Sequence, residues 1–418
     1  MILPAVGWQA PRLCDDAQVT DQEPSTSSRR LVRIAWGSFV LLGWTSVLVP
    51  ALLRQVEARF GVDDAAIGVY YFVYSASYAS ASLAGGLLTE RLGRAVVLPG
   101  MAAVMGLGLL VTGGAPAWPV FLLAAVPLGA GGGAIDGGVN GLALAISDRA
   151  RGRALNLLHL FFAAGALTSP AVVGQLVERG VPWEWLFVAT GVVAFVMAGL
   201  LRLTPMPGGL RLPGAKQGAA DSSARGDGSA LPLALLAVAI GCYVASEIGV
   251  SNWIVRFLAG VPVTVATTAL SAFWGGLALG RLFAARYSDR FAHSSFAIVA
   301  SVFMGIAVMA GVVAPTPELA VLAFAVSGFA AGPIFPMIVA LGGDLFPGRL
   351  AATTGTLTAA AVVGGTIYPP SIGLMSVGLG LAAGLLGAAV LSFVCGGAIL
   401  FAARTRDQRV LDASLDAR

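Results

Sequence analysis

The chain has 418 residues, of which 57% are apolar and only 11% charged, and its mean hydropathy is +0.86. A soluble domain carries about 25% charged residues, so this composition excludes a water-soluble globular protein and defines a polytopic membrane protein partnered by the lipid bilayer. The net charge of +4 comes from basic residues scattered between apolar segments, which gives no patch for nucleic acid.

Chemistry-bearing motifs are few. Cys14, Cys242 and Cys395 form no CxxC pair, and His159 and His293 are isolated, so neither a disulfide framework nor a metal site is expected. No phosphate-binding loop, HExxH or GxSxG pattern occurs, so the chain does not read as an enzyme and needs no cofactor beyond a coupling proton.

In chain order, residues 1–31 are polar and read as a disordered cytoplasmic tail. Twelve apolar segments follow, at 32–53, 65–88, 94–114, 118–147, 153–178, 183–203, 231–258, 264–287, 294–314, 317–345, 350–376 and 378–403. Each is long enough to cross about 30 Å of hydrocarbon as a helix. A loop rich in Pro, Gly, Ser and charge, residues 204–230, separates two six-helix halves at 32–203 and 231–403, and residues 404–418 form a cytoplasmic tail. With the N-terminus inside, 21 of the 25 Lys and Arg face the cytoplasm and only Arg54, Arg59, Arg179 and Arg256 lie outside. Both termini are therefore expected in the cytoplasm.

The halves are internally related. At an offset of 199 residues Glu90-Arg91 falls on Asp289-Arg290, Met105-Gly106 on Met304-Gly305, and Gly129 and Gly133 on Gly328 and Gly332. Gly165, Pro170 and Gly174 fall on Gly364, Pro369 and Gly373. One offset held across four helices marks a repeat rather than chance Gly matches.

One stretch breaks the apolar pattern. The fourth segment reads Gly129-Ala-Gly-Gly-Gly-Ala-Ile-Asp136-Gly-Gly-Val-Asn140-Gly, with an acid and an amide one turn apart on one helix face. A carboxylate at the bilayer centre costs roughly 2.5–3.5 kcal/mol on insertion scales, so it marks a substrate path by default. Glu247, in the seventh segment, lies at similar depth in the other half, so the two acids could face each other across a central cavity. Each acid could instead be a hydrogen-bonded contact between helices. Asn140, Asn252, Trp253 and Tyr243 are candidate solute contacts, with interhelical bonding or interfacial anchoring as the plainer roles. Asn156 and His159 sit in the first turns of segment five, where a relay or a helix-end role is open. Tyr70, Tyr74 and Tyr78 form a stripe one turn apart, suited to stacking on a sugar ring or to packing.

The loop after the second segment reads Gly86-Leu-Leu-Thr-Glu90-Arg91-Leu-Gly93-Arg94, with a degenerate copy at Ser288-Asp289-Arg290. This resembles the signature loop of the major facilitator superfamily, an all-α fold of twelve transmembrane helices in two six-helix halves. The resemblance implies that Gly86, Glu90, Arg91, Gly93, Arg94, Asp289 and Arg290 act as a gating latch. Within that superfamily the chain resembles the fucose permease-like branch of sugar–proton symporters. The resemblance rests on Asp136 and Asn140, on Asn156-Leu-Leu-His159, on Tyr243, Glu247 and Trp253, and on Gly332-Pro-Ile-Phe-Pro336 with Val363-Gly-Gly-Thr-Ile-Tyr-Pro369. It implies that Asp136 is the protonatable acid and Asn140 a sugar-contacting amide. Where the fucose permease has a helix-one acid, this chain has Ser46.

The expected function is secondary active transport of a small polar organic solute, a sugar by this resemblance, by proton-coupled alternating access in the cell membrane, as a monomer. A proton-driven multidrug or metabolite exporter is the first alternative, and a non-transporting membrane sensor on the same fold the second.

Overall fold

The computed structural model describes residues 26–146, 151–206 and 230–416. The expected N-terminal tail up to residue 25 and most of the 204–230 linker lie outside these residues. All regular structure among them is helical, as the apolar composition requires: in lipid every backbone N–H and C=O must be satisfied within the segment.

The chain runs through α1 (Thr26–Ser46), α2 (Leu48–Ala51), α3 (Leu53–Phe60), α4 (Asp64–Leu92), α5 (Arg94–Gly113), α6 (Trp118–Ile146), α7 (Arg151–Glu178) and α8 (Trp183–Arg202). The second half follows as α9 (Ala230–Phe257), α10 (Val263–Tyr287), α11 (His293–Val312), α12 (Pro317–Ala331), α13 (Ile334–Leu345), α14 (Leu350–Leu379) and α15 (Leu381–Asp416). Two expected single spans are broken. The first is interrupted at Val47 and Leu52, around Pro50, and the tenth divides at Gly332-Pro333. Proline removes a backbone donor and clashes with the preceding turn, which accounts for both breaks. α1 begins at Thr26, so residues 26–31 of the expected tail are helical, and Leu31 is already buried. α15 likewise carries the helix through 404–416.

Ends are set by local chemistry. The Asp63 side chain accepts from Ala66 N and caps α4. Gly61 and Gly93 end α3 and α4 with φ of 64° and 83°, conformations open to glycine.

The two halves repeat one packing scheme. α4 packs on α6 and α10 on α12; α5 on α8 and α11 on α15; α1 on α7 and α9 on α14. The halves meet through α4 with α14 and α7 with α10. Repeat-related glycines carry these contacts. A Cβ on Gly133 would overlap the Tyr78 carbonyl, and one on Gly328 the Phe273 carbonyl. Gly165 abuts Val40 in the same way, and Gly364 abuts Gly241. Gly174 and Gly373 lie between the halves, against Thr267 and the Asp64 carbonyl. Water gives helices no reason to associate inside lipid, so close approach at small residues holds the bundle together.

Among the described residues, ten helical spans are long and apolar enough to cross a membrane. α4 is not among them because its middle is rich in Tyr and Ser. Large apolar side chains such as Leu83, Leu123 and Val313 remain exposed around the bundle, as a lipid-facing surface requires. Gly133→Ala should lower the thermal unfolding midpoint, since overpacking costs about 1–3 kcal/mol. Gly199→Ala, which meets nothing within 4 Å, should leave it unchanged; both are checked by thermal unfolding in detergent.

Candidate functional site: a cavity between the halves

A cavity of about 380 Å³ lies between the halves, within the usual range for small-molecule sites. α4 supplies one wall. Tyr70, Tyr74 and Tyr78 face the cavity at one-turn spacing, with Tyr71, Ser75 and Ser82 beside them. The Tyr70 and Tyr74 rings are stacked with centroids 6.4 Å apart, and Tyr74 and Tyr78 follow at 6.1 Å. Phe162, Trp274 and Phe335 add apolar surface, while Ser251, Asn252, Thr358 and Thr366 bring polar groups from the second half.

Among the described residues Asp136 is the one carboxylate lining this cavity, placed about one turn past the middle of α6. Asn140 Nδ2 donates to its Oδ1 at 2.9 Å, and the Tyr78 hydroxyl is hydrogen-bonded to the same carboxylate. Asn140 itself does not line the cavity, and its Oδ1 is buried without a partner. Its place in the structure is that of a brace for Asp136, one turn further along the helix.

Glu247 does not face Asp136. The α9 face toward the cavity is Val244, Ile248, Ser251 and Asn252. At 100° per residue Glu247 points about a quarter turn away. It is buried beside the Tyr243 hydroxyl, outside hydrogen-bonding geometry, with the charge of Arg281 on α10 within reach. The charge of Arg281, counted in the sequence among the cytoplasmic ones, thus acts on the acid of the second half. It also reaches His159 on α7, the ring of which sits edge-on to Phe39 at 5.8 Å. His159 and Asn156 are exposed and lie outside the cavity.

Asn252 lines the cavity, and its carbonyl accepts from the Tyr71 hydroxyl at 3.0 Å, joining the halves. Trp253 is fully buried instead, donating to the Pro369 carbonyl at 2.9 Å, and so ties α9 to α14. Ser46 lines the cavity, its hydroxyl committed to the Gly43 carbonyl at 2.8 Å.

Of the expected latch, Arg91 and Arg290 are exposed, and Arg290 lies over the Tyr287 ring at 5.2 Å. Gly93 forms the turn, and Arg94 reaches the Gly141 carbonyl at 3.5 Å. Gly86, Glu90 and Asp289 are placed as backbone only; their surroundings lie outside what the structure describes.

Polar contacts between the halves gather at the end of the bundle away from the termini, here called the far end. Arg54 donates to the Val261 carbonyl at 2.9 Å, and Arg256 on α9 pairs with Glu57 and Asp64 of the first half. Ser376 on α14 donates to Asp64. The one sequence signal for this cluster is Arg256, one of four outer arginines, set in the last turn of an apolar helix.

Two related six-helix halves around a central cavity, with a carboxylate in its wall, define a membrane carrier. The Major Facilitator Superfamily model matches residues 34–257 and 228–417, and the chain belongs to that family, whose members are transporters. A glucose/galactose transporter of Brucella abortus is 25% identical over 387 residues, covering 85% of this chain and 91% of that protein. A protein TsgA homolog of Erwinia tasmaniensis is 26% identical over 137 residues, so the chain spans only 33% of that relative's length. Among solved structures, an inward-facing, unoccupied bacterial homolog of the human lysosomal transporter Spinster superposes with a TM-score of 0.74 at 15% identity, over 91% of this chain and 98% of that one. The E. coli fucose:proton symporter superposes at 0.60 with 18% identity, over 89% and 98%. These two likenesses show the fold.

Filling the cavity tests its role without touching its polar groups. Ala79→Phe, on the cavity wall, should weaken protection by any bound solute more than about tenfold, or ~1.4 kcal/mol, in a thermal-shift titration.

Proposed function

We propose that the chain is a proton-coupled carrier of a small, hydroxyl-rich organic solute of the sugar class, working by alternating access. The observation that carries this reading is Asp136: among the described residues it is the one carboxylate in a cavity otherwise walled by tyrosines, other aromatic rings, hydroxyl groups and aliphatic side chains such as Val244, Ile248 and Val362. Sugars offer an apolar ring face and a rim of donors and acceptors. Stacked tyrosines match the first, and hydroxyl and amide side chains match the second. A relative named as a glucose/galactose transporter supports the same solute class.

Asp136 is the proton carrier in this reading. The Tyr78 hydroxyl and the Asn140 amide hold the carboxylate in place. A proton bound while the cavity opens to one side leaves when it opens to the other, and this ties solute movement to the proton gradient. The termini are cytoplasmic by the distribution of Arg and Lys, which makes the far end extracellular and the conformation inward-facing. The boundaries at 32–203 and 231–403 describe the rocking halves, joined by a cytoplasmic linker over 204–230. The cavity belongs to one chain, consistent with a working monomer.

Asp136→Asn should abolish sugar accumulation driven by an inward proton gradient in proteoliposomes, while exchange of labelled for unlabelled sugar continues. Accumulation equal to that of the parent would remove the coupling role from Asp136. A parent protein that moves no sugar but exports hydrophobic cations would overturn the solute class and leave the fold assignment standing.

A further inference from the structure

The far-end cluster has a chemistry that the transport reading leaves unused. Glu57 on α3 and Asp64 at the start of α4 come from the first half, and Arg256 from the last turn of α9 in the second. Arg256 Nε lies 2.8 Å from Glu57 Oε1 and 2.9 Å from Asp64 Oδ1. Nε carries a single N–H. One donor hydrogen therefore faces two carboxylate oxygens, and one positive charge faces two negative ones.

The Glu57 and Asp64 side chains are only 14% and 9% exposed, so water does little to separate their charges. Among the described residues, Arg256 is the only cation paired with either carboxylate. Ser376 on α14 donates to Asp64, and the Tyr71 hydroxyl is committed to the Asn252 carbonyl. Two carboxylates at close quarters with one guanidinium between them are satisfied when one is protonated and donates to the other.

The geometry points to a second proton-binding site at this seam: Glu57 and Asp64 share one proton while the far end is closed, and release it when the halves part. The site is separate from Asp136. Asp64 and Tyr78, which touches Asp136, are fourteen residues apart on α4, about 21 Å along the helix.

Proton affinity has the matching sign. Burial pushes the Glu57 carboxyl up from its ordinary range to about 7, and its hydrogen bond with Asp64 adds to this, while Arg256 opposes it. Hydration on opening returns Glu57 toward its ordinary value near ~4.3. The closed form thus binds more protons than the open form. Falling pH favours closure through the region around 7, and rising pH favours opening.

Spin labels at Ala58→Cys and Gly260→Cys, both exposed and on opposite halves at the far end, report this opening. The background is the full chain with Cys14, Cys242 and Cys395 replaced, in lipid nanodiscs without solute. The parent should show the ratio of closed to open distances rising about tenfold between roughly pH 8 and pH 6. Glu57→Gln should flatten the response and stay closed, and Asp64→Asn should move the midpoint to lower pH. A parent that does not respond, a Glu57→Gln variant that still does, or an Asp64→Asn midpoint equal to the parent's would each overturn the shared proton. None of these results depends on which solute the cavity binds.

Discussion

Backbone-to-backbone contact between helices is the constraint from which the rest of this molecule follows. Inside lipid, apolar side chains gain nothing by leaving one apolar neighbour for another, so attraction must come from close packing. The glycine run from 129 to 133 lets α6 lie directly on α4, with Gly129 against the Tyr74 carbonyl and Gly133 against that of Tyr78. That contact fixes the rotation of both helices. It turns Tyr74 and Tyr78 into the cavity and brings Asp136, three residues past Gly133, to the Tyr78 hydroxyl. Gly132, against the Tyr78 ring, completes the fit. The glycines bind nothing, yet they determine where the carboxylate points.

The repeat supplies a frame on which the two halves have diverged. Gly328 and Gly332 reproduce the same approach of α12 to α10, but the positions equivalent to Asp136 and Asn140 are Phe335 and Val339. One half therefore offers the acid and the tyrosine wall, the other the Trp274 and Phe335 rings with aliphatic, hydroxyl and amide side chains. The seam between them is polar at the far end. It joins through a few hydrogen bonds and one three-residue charge cluster, which can be made and broken without disturbing either half's packing.

Much of this was legible in the sequence because lipid enforces simple rules. Hydropathy marked the spans, and the offset of 199 marked the repeat. Asp136 stood out because a carboxylate in an apolar helix is costly. What failed was rotation. Glu247 has the right depth and the right half, but depth follows from counting residues, whereas facing depends on which neighbour a helix packs against. The sequence contains no statement of that neighbour. Arg281 meets the same limit: its place six residues before the end of α10 was legible, but not that its charge reaches Glu247 and His159. The far-end cluster was hidden because its members lie 192 and 199 residues apart. The breaks at Val47 and Gly332-Pro333 escaped because a twenty-residue apolar window reads the same whether or not its helix is continuous.

The hydroxyl face of α4 has a cost at a stage before any solute binds. Tyrosines and serines make this helix too polar to meet the threshold its neighbours pass. Such a segment gains little by entering the bilayer alone. Its stable partners, α6 and α14, come later in the chain, so α4 settles in the membrane only once those helices arrive to cover it. The residues that shape the solute path also make biogenesis cooperative. A change that renders α4 greasier would ease its insertion while stripping the wall that gives the cavity its use.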